Sequence, residues 1–126
     1  MKSEQDIESL EKLIGQLKAL HAEVSLLSRK SPSDAVNAFK LKLINKCLAF
    51  GNEVLGENYK PFDDFNAFDS DDVPSNSDVT MVIAQYLEEA ERYRSDNVMM
   101  SNGWYYYKLG GEKSSIRSAP PTWSKK

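Results

Sequence analysis

The sequence predicts a mainly α fold: a long antiparallel helix hairpin plus a third helix, with a short C-terminal β-hairpin or extended arm. Three observations predict it. Ile7, Leu10, Ile14, Leu17, His21 and Val24 are spaced 3, 4, 3, 4, 3 along the chain, the repeat of one helix face. Val36, Phe39, Leu43, Cys47, Phe50 and Val54 form a second helical stripe after a short connection. A third stripe, from Val79 to Tyr93, precedes an aromatic run with strand character, Trp104 to Leu109, closed by Gly110-Gly111.

The first helix is expected at about 4–29. Ser3 followed by Asp6 suits an N-terminal cap, and Arg29 and Lys30 suit the C-terminal end of the dipole. Leu13, Leu20 and Leu27 widen the stripe. Gly15 lies inside it at a cost of ~1 kcal/mol relative to Ala, which the pattern outweighs. The second helix is expected at about 32–55, with Ser31 as cap, Pro32 in the first position and Gly56 as the stop. Leu41, Ile44, Leu48 and Leu55 lie beside its main stripe. The short connection folds the two helices into a hairpin.

Residues 57–76 change character. Phe62, Phe65 and Phe68 alternate with Asp63, Asp64, Asp69, Asp71 and Asp72. A short helical turn after Pro61 would put the rings on one side and the carboxylates on the other. The third helix is expected at about 77–97. Val79, Val82, Ile83, Tyr86, Leu87, Ala90 and Tyr93 would be buried, and Glu88, Glu89, Glu91, Arg92 and Arg94 exposed. Asn102-Gly103 ends it or turns the chain. Residues 1–109 then read as one helical domain, and 110–126 as an arm in which 114–118 could pair back as a strand before Pro120-Pro121.

The chain has 126 residues and a formal charge of -3, enough for one core and no more. The charge is uneven. Residues 1–56 carry 8 basic and 7 acidic side chains, residues 57–96 carry 3 and 11, and residues 97–126 carry 5 and 1. The acidic middle repels nucleic acid, so any such role would rest on the tail. No run of about 18 apolar residues occurs, so no membrane span is expected. The first dozen residues are polar, so no secretory leader is expected. The single Cys47 forms no internal disulfide, and a cytoplasmic location is the default.

Chemistry-bearing patterns are sparse. Cys47 and His21 are the only candidates for a thiol–imidazole pair, and both fall on apolar helical stripes where a cysteine is inert filler. The aspartates of 63–72 lack the glycine and late glutamate of a calcium loop. One His and one Cys supply no transition-metal set. Gly110-Gly111 precedes Lys113-Ser114, but Glu112 stands where a phosphate loop needs glycine, and no helix can follow. No cofactor is expected.

What remains points to surfaces. A helix of ~25 residues is ~38 Å long, against a diameter of ~36 Å for a compact chain of this size. Its wide stripe needs more cover than one neighbour provides. Helix 3 or a second copy must supply the rest. The expectation is a homodimer through helices 1 and 2, with Ile7, Leu10, Ile14, Leu17, His21 and Val24 as the seam. Trp104, Tyr105, Tyr106, Tyr107, Arg117 and Trp123 are of the types enriched at interface hot spots. The function expected is a small soluble non-catalytic interaction module with an unidentified protein partner. The alternative is an acidic inhibitor (an immunity protein, antitoxin or nucleic-acid mimic) that presents Asp63, Asp64, Asp71 and Asp72 to a basic partner. A small enzyme or ligand-binding protein without a recognisable motif is third.

Overall fold

The computed structural model describes residues 1–122. Its elements in chain order are α1 (Glu4–Lys30), α2 (Ala38–Tyr59), α3 (Asn76–Asp96), β1 (Val98–Ser101), β2 (Trp104–Leu109) and β3 (Glu112–Arg117). The three helices pack against one another. The strands form an antiparallel sheet in the order β1-β2-β3.

Helix α1 starts as its sequence dictates. Ser3 Oγ accepts from the Asp6 N–H, and the Asp6 carboxylate accepts from the Ser3 N–H, a reciprocal capping box. The Lys2 N–H also donates to Asp6, and these backbone donors hold the Asp6 carboxyl below its ordinary range. Ile7, Leu10, Leu13, Ile14, Leu17 and Val24 are buried.

Helix α2 starts six residues later than the Ser31 cap implies. Asn37 Oδ1 accepts from the Lys40 N–H at 2.8 Å and takes the capping role. The segment before it has another use. Val36 N–H donates to Pro74 O, Asn76 N–H to Asp34 O, and Ser77 N–H to Pro32 O. The α1–α2 connection is thus laced to the start of α3, where Ser75 caps by accepting from the Asp78 N–H. Gly56 interrupts α2 rather than ending it: its φ of 64° breaks the helical run, and a last turn continues to Tyr59.

Of the two stripes of α2, the first is buried only in part, at Val36 and Cys47, and the second supplies most of the core. Leu41, Ile44, Leu48 and Leu55, read as flanking, are core residues, together with Cys47. Of the stripe read as buried, Leu43 is 43% exposed and Phe39 71%. Phe50 and Val54 are only partly buried. Gly51 explains part of the rotation: Tyr86 of α3 comes so close that a Cβ on Gly51 would sit 3.0 Å from its ring. α2 turns its smallest residue to α3, and this turns Phe39 and Leu43 outward.

The Phe62–Phe68 segment forms no helical turn. Its rings nonetheless meet edge to face in series, Phe62 against Phe65 at 6.0 Å and Phe65 against Phe68 at 5.1 Å, and pack on the core. The C-terminal part is a three-stranded sheet, not a hairpin. Asn102-Gly103 and Gly110-Gly111 each supply two consecutive positive φ values, as the tightest two-residue hairpin turns require. The first of these turns makes Val98–Ser101 a strand, and residues 112–117, read as part of an arm, become β3.

Candidate functional site

The residues singled out as a dimer seam are enclosed within the single chain. Ile7, Leu10, Ile14, Leu17 and Val24 are at most 6% exposed, because α3 covers the part of the stripe that α2 leaves open. They offer no apolar surface to a second copy. His21 is half-buried, its Nδ1 3.5 Å from Ser25 Oγ one turn on.

The aromatic run divides by strand parity. Tyr107 points inward, fully buried, and its hydroxyl donates to Glu11 on α1. Burial, first, and then Glu11 raise its pKa well above the usual phenol range. Tyr105 follows the same parity. Trp104, Tyr106 and Lys108 take the opposite, solvent face. Across the β2–β3 pair, Tyr106 faces Arg117 and Lys108 faces Lys113. Between these pairs β3 advances four residues and β2 two. Because both steps are even, the bulge leaves Lys113 and Arg117 on the same side of the sheet.

The outcome is a built surface. The Arg117 guanidinium lies 3.9 Å from the Trp104 ring centroid, and Lys113 Nζ lies 4.2 Å from that of Tyr106. Trp104 remains 53% exposed. The only acidic residue in the three strands, Glu112, pairs with Leu109 on the opposite parity. The solvent face therefore combines two rings with three cations. Trp123, grouped with these aromatics from the sequence, lies outside the described residues.

The carboxylates of the 57–76 segment form a separate surface. Asp63, Asp64, Asp69, Asp71 and Asp72 are all exposed. Their backbone is clamped from α2. Asn45 accepts from the Phe68 N–H at 2.8 Å and donates to its carbonyl at 3.0 Å, and Asn52 donates to Phe65 O. Among the described residues, no three His, Cys, Asp or Glu side chains converge as a metal site.

Cys47 is buried, and burial pushes its thiol up to about 11. A thiol so raised is scarcely ionised near neutrality. Alkylation by iodoacetamide at pH 8 is expected to run about 100-fold slower than for an unhindered cysteine peptide; a comparable rate would mean that the site opens.

The sequence reading missed one polar centre. Glu91 and Arg94, assigned to the wet face of the third helix, are 8% and 4% exposed. Arg94 donates from Nε and Nη2 to Glu91 Oε2 at 3.0 and 2.6 Å. Its remaining donors reach Ser118 Oγ, Ala119 O and Pro120 O. This side chain straps the segment after β3 onto α3. The signal was present in the phase: Val79, Ile83, Tyr86 and Ala90 lead by helical steps to position 94 as well as 93.

Between α1 and α2, on the side away from α3, runs an open groove of about 500 Å³. Ala19, Leu20, Leu43, Cys47 and Phe50 line it, with Lys12 and Lys46 at its rim. No protein-family model, curated protein or solved structure matches this chain.

Proposed function

We propose that this chain is a non-catalytic docking module, homodimeric through α1 and α2, that binds a protein partner with an acidic surface on the solvent face of its sheet. The observation that carries the docking surface is the pair of capped rings, Arg117 on Trp104 and Lys113 on Tyr106. Each cation is already ordered against its ring, so less side-chain entropy is lost on binding. A guanidinium stacked by its face keeps its N–H edge free for a carboxylate. The same capping disfavours single-stranded nucleic acid, whose bases need open ring faces.

The test is capture from native lysate by the wild-type chain and by two variants. Trp104→Ala with Arg117→Ala is expected to reduce the captured partner at least about 10-fold, the effect of losing a hot-spot pair. The substitutions are exposed, so the circular dichroism spectrum should not change. Neutralising Asp63, Asp64, Asp71 and Asp72 to Asn should leave capture intact.

The opposite pattern would favour an acidic inhibitor. The clamps from Asn45 and Asn52 support that second reading, since they hold a carboxylate ridge in a fixed shape. Binding through such a ridge would fall steeply with salt.

A further inference from the structure

We infer that the acidic group taken by the sheet face is a phosphate monoester, carried on a phosphorylated segment of the protein partner and held between Arg117 and the pair Lys108 and Lys113. This rests on the docking surface proposed above and names its ligand chemistry.

The face carries charge without compensation. Lys108 and Lys113 are cross-strand partners in the β2–β3 register. Like charges directly opposite one another weaken a sheet, so an anion bound here relieves a cost that the free fold bears. Among the described residues no carboxylate pairs with Lys108, Lys113 or Arg117.

The strand geometry gathers the three cations. Trp104 and Tyr106 are successive residues on one face of β2, ~7 Å apart along the strand. Arg117 lies over the first ring and Lys113 over the second, and Lys108 faces Lys113. One anion seated above the rings can therefore touch the whole group.

Valence and shape select that anion. A carboxylate brings one charge, and a bidentate bond to Arg117 takes up both of its oxygens. A phosphate monoester brings a charge of about -1.5 to -2 near neutrality and three acceptor oxygens. Two of these suit the Arg117 fork, and the third is left for the lysines. Polyanions are disfavoured at long range. Residues 57–96 carry 3 basic and 11 acidic side chains, a field that repels a nucleic-acid backbone or an anionic membrane. A single phosphate on a protein segment carries too little charge to be turned away. The segment also finds apolar surface beside the cations, since Trp104 is 53% exposed and Met99 of β1 pairs with Tyr106.

Titrations followed by proton–nitrogen correlation spectra, at constant ionic strength, test this with blocked phosphoserine, blocked glutamate and blocked serine. Phosphoserine should shift residues 104–108 and 113–117 with a Kd of about 1 mM, in keeping with so small a ligand. Glutamate should bind at least about 10-fold more weakly, and serine should cause no shift. Lys113→Gln and Arg117→Gln, both exposed, should each weaken phosphoserine about 10-fold with an unchanged circular dichroism spectrum. No saturation by about 20 mM, equal binding of glutamate, or shifts confined to the helices would overturn the phosphate site. Tighter binding to phosphatidylserine vesicles or to oligothymidylate would overturn its assignment to a protein segment. Capture that depends on Trp104 and Arg117 but survives phosphatase treatment of the lysate would also overturn this inference, and would leave the docking surface standing. A wild type that binds phosphoserine but captures nothing would overturn the docking reading and keep the anion site.

Discussion

Replacing Arg94 by Met should lower the unfolding free energy by about 3–5 kcal/mol, the cost of breaking one side of a buried ion pair. Three losses combine. Glu91, itself nearly buried, loses both of its short bonds from the guanidinium and keeps Lys18 at 3.4 Å and Thr122 at 3.5 Å. The carbonyls of Ala119 and Pro120 lose a charged donor. The segment after β3 then keeps the Ser118 N–H bond to Tyr105 O as its backbone tie to the sheet. Urea denaturation measures the stability. Limited trypsin digestion reads the strap, since cleavage after Arg117 should accelerate while the helices stay protected. Coupling Arg94→Met to Glu91→Gln should recover part of the loss, because no buried charge is then left without its main partner. A single variant costing under about 1 kcal/mol would mean that Arg94 is solvated in solution.

Tyr86→Ala should cost about 3–5 kcal/mol, as for other fully buried aromatics truncated to a methyl. The ring is completely enclosed and fits against Gly51 on one side and Phe62 on another. No neighbour can fill the gap without backbone movement, because α2 has no side chain at Gly51 to extend. The hydroxyl does a second job. It donates to Asn52 Oδ1 at 2.7 Å, while Asn52 donates onward to Phe65 O. Tyr86→Phe keeps the packing, removes this bond and should cost about 0.5–1.5 kcal/mol. Both variants should raise amide exchange around residues 62–68, and Tyr86→Ala more strongly, because Phe62 also loses its ring contact. An equal cost for the two would show that the hydrogen bond, not the packing, dominates here.

These two residues show where sequence reading succeeds and where it stops. Tyr86 was legible as core because its neighbours repeat at the helical period. Arg94 was not, although its phase points inward, because a charged residue is assigned to solvent by default. Only the return of the chain after β3 supplies the acceptors that make its burial tolerable. Ser31 and Pro32 were a sound local start for a helix. They lost to Asn37 because the connection pairs with the chain around the start of α3, a partner about 40 residues away.

Surfaces follow the same division. That Trp104 and Tyr106 share one face is a matter of parity along a strand and needs no structure. That Arg117 and Lys113 cap them depends on the register of β3 and on the even step of its bulge, which side-chain types do not specify. Likewise both apolar stripes of α2 were visible, but their order of burial was not. Tyr86 set it by claiming the space over Gly51.

The sequence by itself determined the local part of this protein: three helices, the α1 capping box, the hairpin turns and the split of charge into an acidic middle and a basic tail. Each is decided by residues within a few positions of one another, so spacing suffices. The tertiary structure alone decided which stripe faces in, which charges are buried and where apolar surface is left over. Those outcomes depend on what each face meets across the chain. There the same Leu43 that spacing marks as core becomes the exposed edge of a groove.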